Sequence, residues 1–225
     1  MILLAGELAL VAIDSATGRA RVGERSLMNA TLAGLLVAEL VIDGVFTAGK
    51  DAGHLRRTAA PAPADPVLAA ATRIVEDEGP TVKAVLSAMD RCLNKQLGTG
   101  TWDSVLSSLA DADVLAPVSG RFIRHYELTR PAVREEILHR LHAAATSDGP
   151  LDPRTAALLS MTGPAHLLER VAPDKATRKN ARHRIDHCLE GSDLAGVASL
   201  VRKVLQEAQN AAAAGAVTAV IASTA

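Results

Sequence analysis

The sequence is poor in aromatic side chains and has no excess charge of either sign. Among its 225 residues only Phe46, Trp102, Phe122 and Tyr126 are aromatic. Proteins that bind single-stranded nucleic acid stack the bases on several aromatic rings. The 24 basic side chains are balanced by 25 acidic ones, so any anion-binding site has to be a local patch. The composition therefore excludes a typical nucleic-acid-binding surface.

Cysteine is nearly absent too, since the chain has only Cys92 and Cys188, far apart in helix-like stretches. We expect each to be a small buried apolar residue rather than half of a disulfide. Hydrophobic residues make up 48% and charged residues 22%, which is typical of a globular protein. A chain of this length buries roughly 70% of its unfolded surface. We therefore expect a single domain over residues 1–225 that needs neither disulfide nor metal.

Neither end of the chain has the pattern of a targeting or membrane segment. Residues 1–13 are apolar, but they lack a basic leader and include Glu7. Residues 208–225 are uncharged but rich in alanine, and they are too weakly apolar to span a bilayer. These patterns favour a cytoplasmic protein that can meet a membrane only from its surface.

Apolar residues at helical spacing predict a mainly α-helical fold of about nine helices. A largely buried central helix is predicted over 26–42, and a helix over 67–78 begins with Asp65 as N-cap and Pro66 at its first position. Short helices are predicted over 164–171 and 175–189. Residues 45–47 and 54–57 flank a glycine-rich turn and predict a short strand pair.

A β-hairpin is predicted where two apolar runs, 114–118 and 121–128, are separated by a Ser-Gly pair. Pro117 confines its first arm to a sheet edge. Near the turn stand Arg121, Phe122, Ile123 and Arg124. On an exposed hairpin the two apolar groups would enter the acyl boundary of a membrane while the arginines stay at phosphate level. Alternatively, Phe122 points into the core, or the hairpin is a contact between identical subunits.

A second basic cluster lies between residues 175 and 184. It consists of Lys175, Arg178, Lys179 and Arg182, which share one helix face, and it is followed by Arg184. Asp174 is the expected N-cap, and the cluster would make the start of the helix attractive to anions. The alternative is a solvated face paired with acidic residues from elsewhere.

The sequence shows no constellation for catalysis or cofactor binding. No phosphate-binding loop, nucleophile elbow or dinucleotide-binding loop is present. His183 and His187 stand four residues apart and could face one metal, but no further ligand accompanies them at a useful spacing. We therefore expect no enzyme, no metal and no cofactor. Trp102 is either a core anchor or the wall of a ligand pocket.

Three regions resemble the Golgi phosphoprotein 3 family. The first is the apolar helix and acidic turn over 8–18 followed by the helix segment 33–40, and the second runs from 109 through the hairpin to Leu128-Thr129-Arg130-Pro131. The third is the apolar helix pair over 154–168. Such proteins occur in eukaryotes and widely in actinobacteria, and the excess of arginine over lysine, 18 to 6, suggests a bacterial source.

The resemblance implies a helical domain with an exposed hairpin. It also implies binding of phosphatidylinositol 4-phosphate at a membrane surface, and an adaptor role in retaining other proteins there. By ungapped counting the headgroup positions of the family fall near Glu24, Ala33, Thr99 and Trp102. The headgroup candidates are this tryptophan and the basic residues close to those positions: Arg21, Arg25, Arg91, Lys95 and Trp102. Generic anionic lipid is therefore the expected ligand, with client proteins and a possible homo-oligomer as partners. The alternative, favoured by the neutral net charge, is a cytosolic interaction scaffold that binds no lipid.

Overall fold

A computed structural model describes residues 2–20, 25–48, 54–79, 81–118, 125–187, 194, 198–199, 201–203 and 205–206. Within these ranges the chain forms α-helices and two antiparallel strand pairs, which confirms the predicted mainly α class. The helices are α1 Leu4–Ala12, α2 Arg25–Ile42, α3 Pro66–Asp77, α4 Val82–Leu97, α5 Thr101–Asp111, α6 Pro131–Thr146, α7 Pro153–Thr162, α8 Leu168–Val171 and α9 Lys175–His187. The strands are β1 Phe46–Ala48, β2 Leu55–Arg57, β3 Leu115–Val118 and β4 His125–Leu128.

Helix ends follow the local signals in the sequence. The Asp65 carboxylate accepts hydrogen bonds from the backbone N–H groups of Val67 and Leu68, and Pro66 occupies the first turn of α3, as predicted. Asp152 caps α7 in the same way, by accepting from the N–H of Thr155 at 3.0 Å. These caps need no tertiary contacts, so the sequence alone places these helix starts.

Helix α1 is buried along its whole length, and charged side chains satisfy its ends. The backbone N–H of Leu4 donates to Glu39 Oε2 at 2.8 Å. At the other end Arg134 donates to the carbonyls of Leu10 and Ile13, and Arg170 donates to those of Val11 and Ile13. An anion at the N-terminus and cations at the C-terminus match the helix dipole, so these side chains fix α1 in the core.

Helix α2 is the central helix and packs against α1, α3, α4, α5 and α7. Among the helices of the described residues, only α2 is long and apolar enough to cross a membrane. However, 67% of this stretch is buried inside the protein. A core position accounts for this apolar composition. The later part of the chain also packs on α2, since a Cβ built at Gly34 would lie 2.6 Å from Cγ1 of Val201.

Both predicted strand pairs form. Strands β1 and β2 pair Phe46 with Arg57, while β3 and β4 pair Leu115 with Leu128 and Val118 with His125. Pro117 lies opposite Tyr126 in this second pair. The tip residues Arg121, Phe122, Ile123 and Arg124 lie outside the described residues, so their role stays a prediction.

The second strand pair is held to the body of the protein by the turn that follows α1. Gly18 has a φ of +63°, and its carbonyl accepts a hydrogen bond from the N–H of Tyr126 at 3.0 Å. A Cβ at Gly18 would lie 2.3 Å from the Tyr126 carbonyl oxygen. Glycine is therefore required here both for the backbone conformation and for the close approach of β4.

Two predictions need correction. The helix predicted over 164–171 is wrong in its first half, because residues 163–166 form a turn in which His166 has a φ of +57° and only Leu168–Val171 is helical. Cys92 is half-buried rather than buried, since its thiol sits near the surface and donates to Glu78 Oε1 at 3.3 Å. Burial and the Glu78 carboxylate raise the pKa of this thiol. Cys188 lies outside the described residues.

Two buried carboxylates and two half-buried arginines tie α1, α2, α6 and α7 together. Glu39 is fully buried and accepts from Arg154 Nη1 at 2.7 Å, while Glu7 pairs with Arg140. Burial raises the pKa of the Glu39 carboxyl by more than Arg154 lowers it, and burial likewise raises the pKa of Glu7 against the effect of Arg140. Both carboxyls therefore bind protons more readily in the folded protein than in the unfolded chain.

The raised pKa of Glu39 predicts that the effect of Glu39→Gln on the free energy of unfolding depends on pH. When the pKa of a carboxyl is higher in the folded protein than in the unfolded chain, its contribution to stability is complete at a pH below the unfolded-state pKa. This contribution is lost as the pH rises through the folded-state pKa. The ordinary value is 4.5, so the free energy of unfolding lost in Glu39→Gln should be larger at pH 4 than at pH 7.5. Urea unfolding of the wild type and the variant at both pH values measures it. A loss that grows with pH would contradict the raised pKa.

Candidate functional site

The structure brings three of the predicted headgroup residues together at one pocket of about 380 Å³. Arg25 starts α2, Arg91 lies on α4, and Trp102 lies in the first turn of α5. We call this the α2–α5 pocket, and its lining consists of Arg25, Asn29, Asp90, Arg91, Asn94, Gly100, Trp102 and Asp103. Residues far apart in sequence thus present two guanidinium groups beside one indole.

Trp102 fits both interpretations drawn from the sequence. It is 6% exposed and belongs to the hydrophobic core, yet it also lines the pocket. A buried indole is held rigidly by its neighbours. The pocket therefore has one buried apolar wall beside exposed guanidinium groups.

The two arginines of the pocket are paired with carboxylates at the surface. Arg25 Nη2 lies 2.9 Å from Asp103 Oδ2, and Arg91 Nη2 lies 3.6 Å from Glu78 Oε1. The arginine side chains are 64% and 74% exposed. Exposed ion pairs of this kind contribute only about 0–1 kcal/mol. A phosphate group can therefore replace these carboxylates as the partner of each guanidinium at little cost.

Asp90 fixes the floor of the pocket. Its Oδ1 accepts a hydrogen bond from the N–H of Thr101 at 2.7 Å and from Asn29 Nδ2 at 3.0 Å. A Cβ at Gly100 would lie 2.6 Å from the same oxygen, so this glycine permits the close approach of Asp90. Asp90 thereby joins the start of α5 to α4 and α2, and sets the spacing between Arg25 and Trp102.

Sequence reasoning missed the acidic members of the site. Asp103, Asp90 and Glu78 were not identified as partners of the basic residues, and 78 positions separate Arg25 from Asp103. Lys95, also on α4, is exposed and does not line the pocket. Arg21 lies outside the described residues. The one local signal was the placement of Asp103 next to Trp102 at a helix start, where acidic residues are common.

The second basic cluster lies on α9 as expected, and its first turn is already capped. Asp174 accepts from the N–H of Thr177 at 2.8 Å, and the hydrogen bonds from Thr177 lower the pKa of Asp174. Arg178 folds back and donates to the carbonyls of Ala172 and Pro173. Asp174 therefore caps the start of the helix as predicted, and the attraction of this basic cluster for anions stays a prediction.

The two histidines of α9 are neighbours on the helix surface. The rings of His183 and His187 meet edge to face with centroids 4.6 Å apart, and both residues are exposed. In the described part of the chain no group of three or more metal-ligating side chains forms. The two rings therefore contact each other, and no third metal-ligating side chain joins them among the described residues.

Comparison with known proteins gives the family. A search of curated proteins finds no match. The family model described as Golgi phosphoprotein 3 (GPP34) matches residues 4–208, which include every described helix and both strand pairs. All three regions of sequence resemblance and the whole α2–α5 pocket lie inside this match. The chain therefore belongs to the Golgi phosphoprotein 3 family.

Proposed function

We propose that this chain is a peripheral membrane protein that binds anionic phospholipid headgroups in the α2–α5 pocket and acts there as an adaptor for other proteins. The observation that carries the proposal is the meeting of Arg25, Arg91 and Trp102 at one pocket. The resemblance to the family implies headgroup positions near Glu24, Ala33, Thr99 and Trp102, and of these Trp102 lines the pocket. The pairing of Arg25 with Asp103 at 2.9 Å supports a single site at the starts of α2 and α5.

Binding in this pocket would exchange one set of ionic partners for another. A lipid phosphate accepts charge-assisted hydrogen bonds from both guanidiniums, which release Asp103 and Glu78 to water. Each arginine near an anionic membrane contributes about 1 kcal/mol. Two arginines alone give weak and reversible attachment, which fits an adaptor that moves on and off the cytoplasmic face of a membrane.

The hairpin is the second proposed contact with the membrane. Val118, at the end of β3, is 44% exposed. No other large hydrophobic side chain among the described residues is exposed to this degree. It directly precedes the segment that contains Phe122 and Ile123. Burial of those two side chains in lipid would add about 3–5 kcal/mol at most. The apolar hairpin and the arginine pocket would then act together.

Vesicle flotation tests the pocket. Arg25→Gln combined with Arg91→Gln should reduce the partition coefficient onto phosphatidylcholine vesicles containing phosphatidylglycerol by roughly 30-fold, since two contributions of about 1 kcal/mol are removed. The matched control is Arg56→Gln combined with Arg130→Gln, which removes two exposed arginines that do not line the pocket. Equal losses in both variants would show that only net charge matters and would reject the pocket.

The same assay separates the two proposed contacts and the alternative function. Phe122→Asp combined with Ile123→Asp should abolish flotation without unfolding the protein if the hairpin inserts. Unchanged flotation would remove the hairpin from the mechanism. If the wild-type protein fails to float with every anionic vesicle tested, including vesicles that contain phosphatidylinositol 4-phosphate, the result would support a scaffold without lipid binding. The carboxylate partners of Arg25 and Arg91 are the observation that favours this alternative.

A further inference from the structure

Helix α9 presents cationic side chains that have no carboxylate partner in the described part of the chain. Lys175, Lys179 and Arg182 are exposed, and none of them forms an ion pair with a described residue. Together with Arg178 they form one stripe along the helix, which we call the α9 basic face. These cationic side chains can therefore form ion pairs with carboxylates of a binding partner.

Three carboxylates lie near this face, and two of them, Glu169 and Asp186, line the pocket that adjoins it. Asp174 caps the helix, and Asp186 lies 3.6 Å from Arg202 Nη1. Glu169, on α8, makes no ion pair with the arginines of α9 within the described residues. Lys175, Lys179 and Arg182 form no ion pair with a described residue and thus differ from Arg25 and Arg91, which already pair with carboxylates.

A shallow pocket of about 570 Å³ adjoins the basic face. Arg178, Arg182 and Asp186 line it from α9, and Glu169 lines it from α8. Leu168 and Ile185, which are almost fully buried, also belong to its lining. A binding partner would therefore meet cationic side chains along the helix face and, in the pocket, apolar side chains beside two carboxylates that repel a further anion. This combination fits a peptide segment with carboxylates and one apolar side chain better than a free small anion.

A membrane is the poorer occupant of this surface. A helix that rests on a bilayer buries large apolar side chains in the acyl boundary. On α9 the buried residues are Ala181 and Ile185, which belong to the core, and no large hydrophobic side chain of this helix is exposed. The helix also packs on α6, α7 and α8, whereas the α2–α5 pocket is built from three other helices.

We propose that the α9 basic face and its adjoining pocket dock an acidic segment of a partner protein. This inference rests on the adaptor role proposed above and supplies the chemistry of the partner. Carboxylates of the segment would pair with Lys175, Lys179 and Arg182, and an apolar side chain would enter the pocket beside Leu168. Because this surface is formed by different helices from the lipid pocket, both ligands can be bound at once.

Fluorescence anisotropy with a labelled peptide of glutamate residues around one leucine tests the proposal. Lys179→Glu combined with Arg182→Glu should weaken its binding roughly tenfold or more, because two exposed ion pairs become repulsions. The matched control, Arg56→Glu combined with Arg130→Glu, makes the same change in net charge and should retain binding. Both substituted residues of α9 are exposed, so thermal unfolding should be unchanged.

The outcomes separate this proposal from the lipid-binding function. Continued peptide binding by the Arg25→Gln and Arg91→Gln variant supports a separate docking surface, whatever the result of flotation. No binding of the peptide by the wild type, or an equal loss in the control variant, would overturn the proposal. Loss of vesicle flotation in the α9 variant, or tighter binding of a single-stranded oligonucleotide of equal charge, would assign the face to another partner and also overturn it.

Discussion

Arg154→Met should lower the free energy of unfolding by about 3–5 kcal/mol, the cost of leaving a buried charge without its partner. Glu39 is 0% exposed and accepts from Arg154 Nη1 at 2.7 Å. Arg154 Nη2 also donates to the carbonyl of Ile2 at 3.0 Å. The substitution therefore removes the countercharge of Glu39 and a hydrogen bond that holds the start of α1.

Urea unfolding at neutral pH measures this effect, and a second variant separates charge from packing. Glu39→Gln added to Arg154→Met removes the buried charge but keeps an amide oxygen that can accept from the N–H of Leu4. The double variant should therefore recover part of the lost stability. An exposed arginine, Arg56, gives the control, since Arg56→Met should change stability by no more than about 0.5 kcal/mol. A loss in Arg154→Met as small as this would show that the buried pair is not structurally required.

Gly18→Ala should be the second large effect and should act on the contact between the hairpin and the body of the protein. The left-handed backbone at φ +63° costs an alanine about 1–2 kcal/mol. The added Cβ also lies 2.3 Å from the carbonyl oxygen of Tyr126, so β4 has to move and the hydrogen bond to Gly18 is lost. We expect a total loss of about 2–3 kcal/mol in the free energy of unfolding.

Gly44 provides the matched control. Its φ is +68°, and a Cβ built there has no atom within 4 Å. Gly44→Ala should therefore cost only the backbone strain, about 1–2 kcal/mol. Hydrogen exchange distinguishes the two variants, because the Tyr126 amide should lose protection in Gly18→Ala and keep it in Gly44→Ala. Protection that persists in both would show that the hairpin is held by other contacts.

The elements of the fold could be predicted where the signal is local. Asp65 and Pro66 mark the start of α3, a glycine-rich turn marks the first strand pair, and two apolar runs mark the second. The helix predicted over 164–171 failed in its first half, because apolar residues continue across a stretch in which the backbone turns at His166. Apolar spacing reports which residues are buried, and a buried turn satisfies the same spacing as a buried helix.

The candidate site was predictable only in part. The sequence singled out Arg25, Arg91 and Trp102, and the structure brings them to one pocket. It did not identify Asp103 and Glu78, which hold the two arginines before any ligand arrives. These pairings depend on how α2, α4 and α5 cross, and residue spacing within one helix contains no information on that crossing.

The amino-acid sequence alone predicts the helical class, the helix caps, the strand pairs and the basic stripe on α9. Each of these features depends on residues within a few positions of one another. Only the tertiary structure decided that Glu39 pairs with Arg154 and that Gly18 contacts β4. It also decided that Arg25 of the pocket is paired, while Lys179 of α9 pairs with no carboxylate among the described residues. The physical reason is distance along the chain. The interaction of two charges depends on their separation and burial in space, and these are set only when distant helices pack against one another.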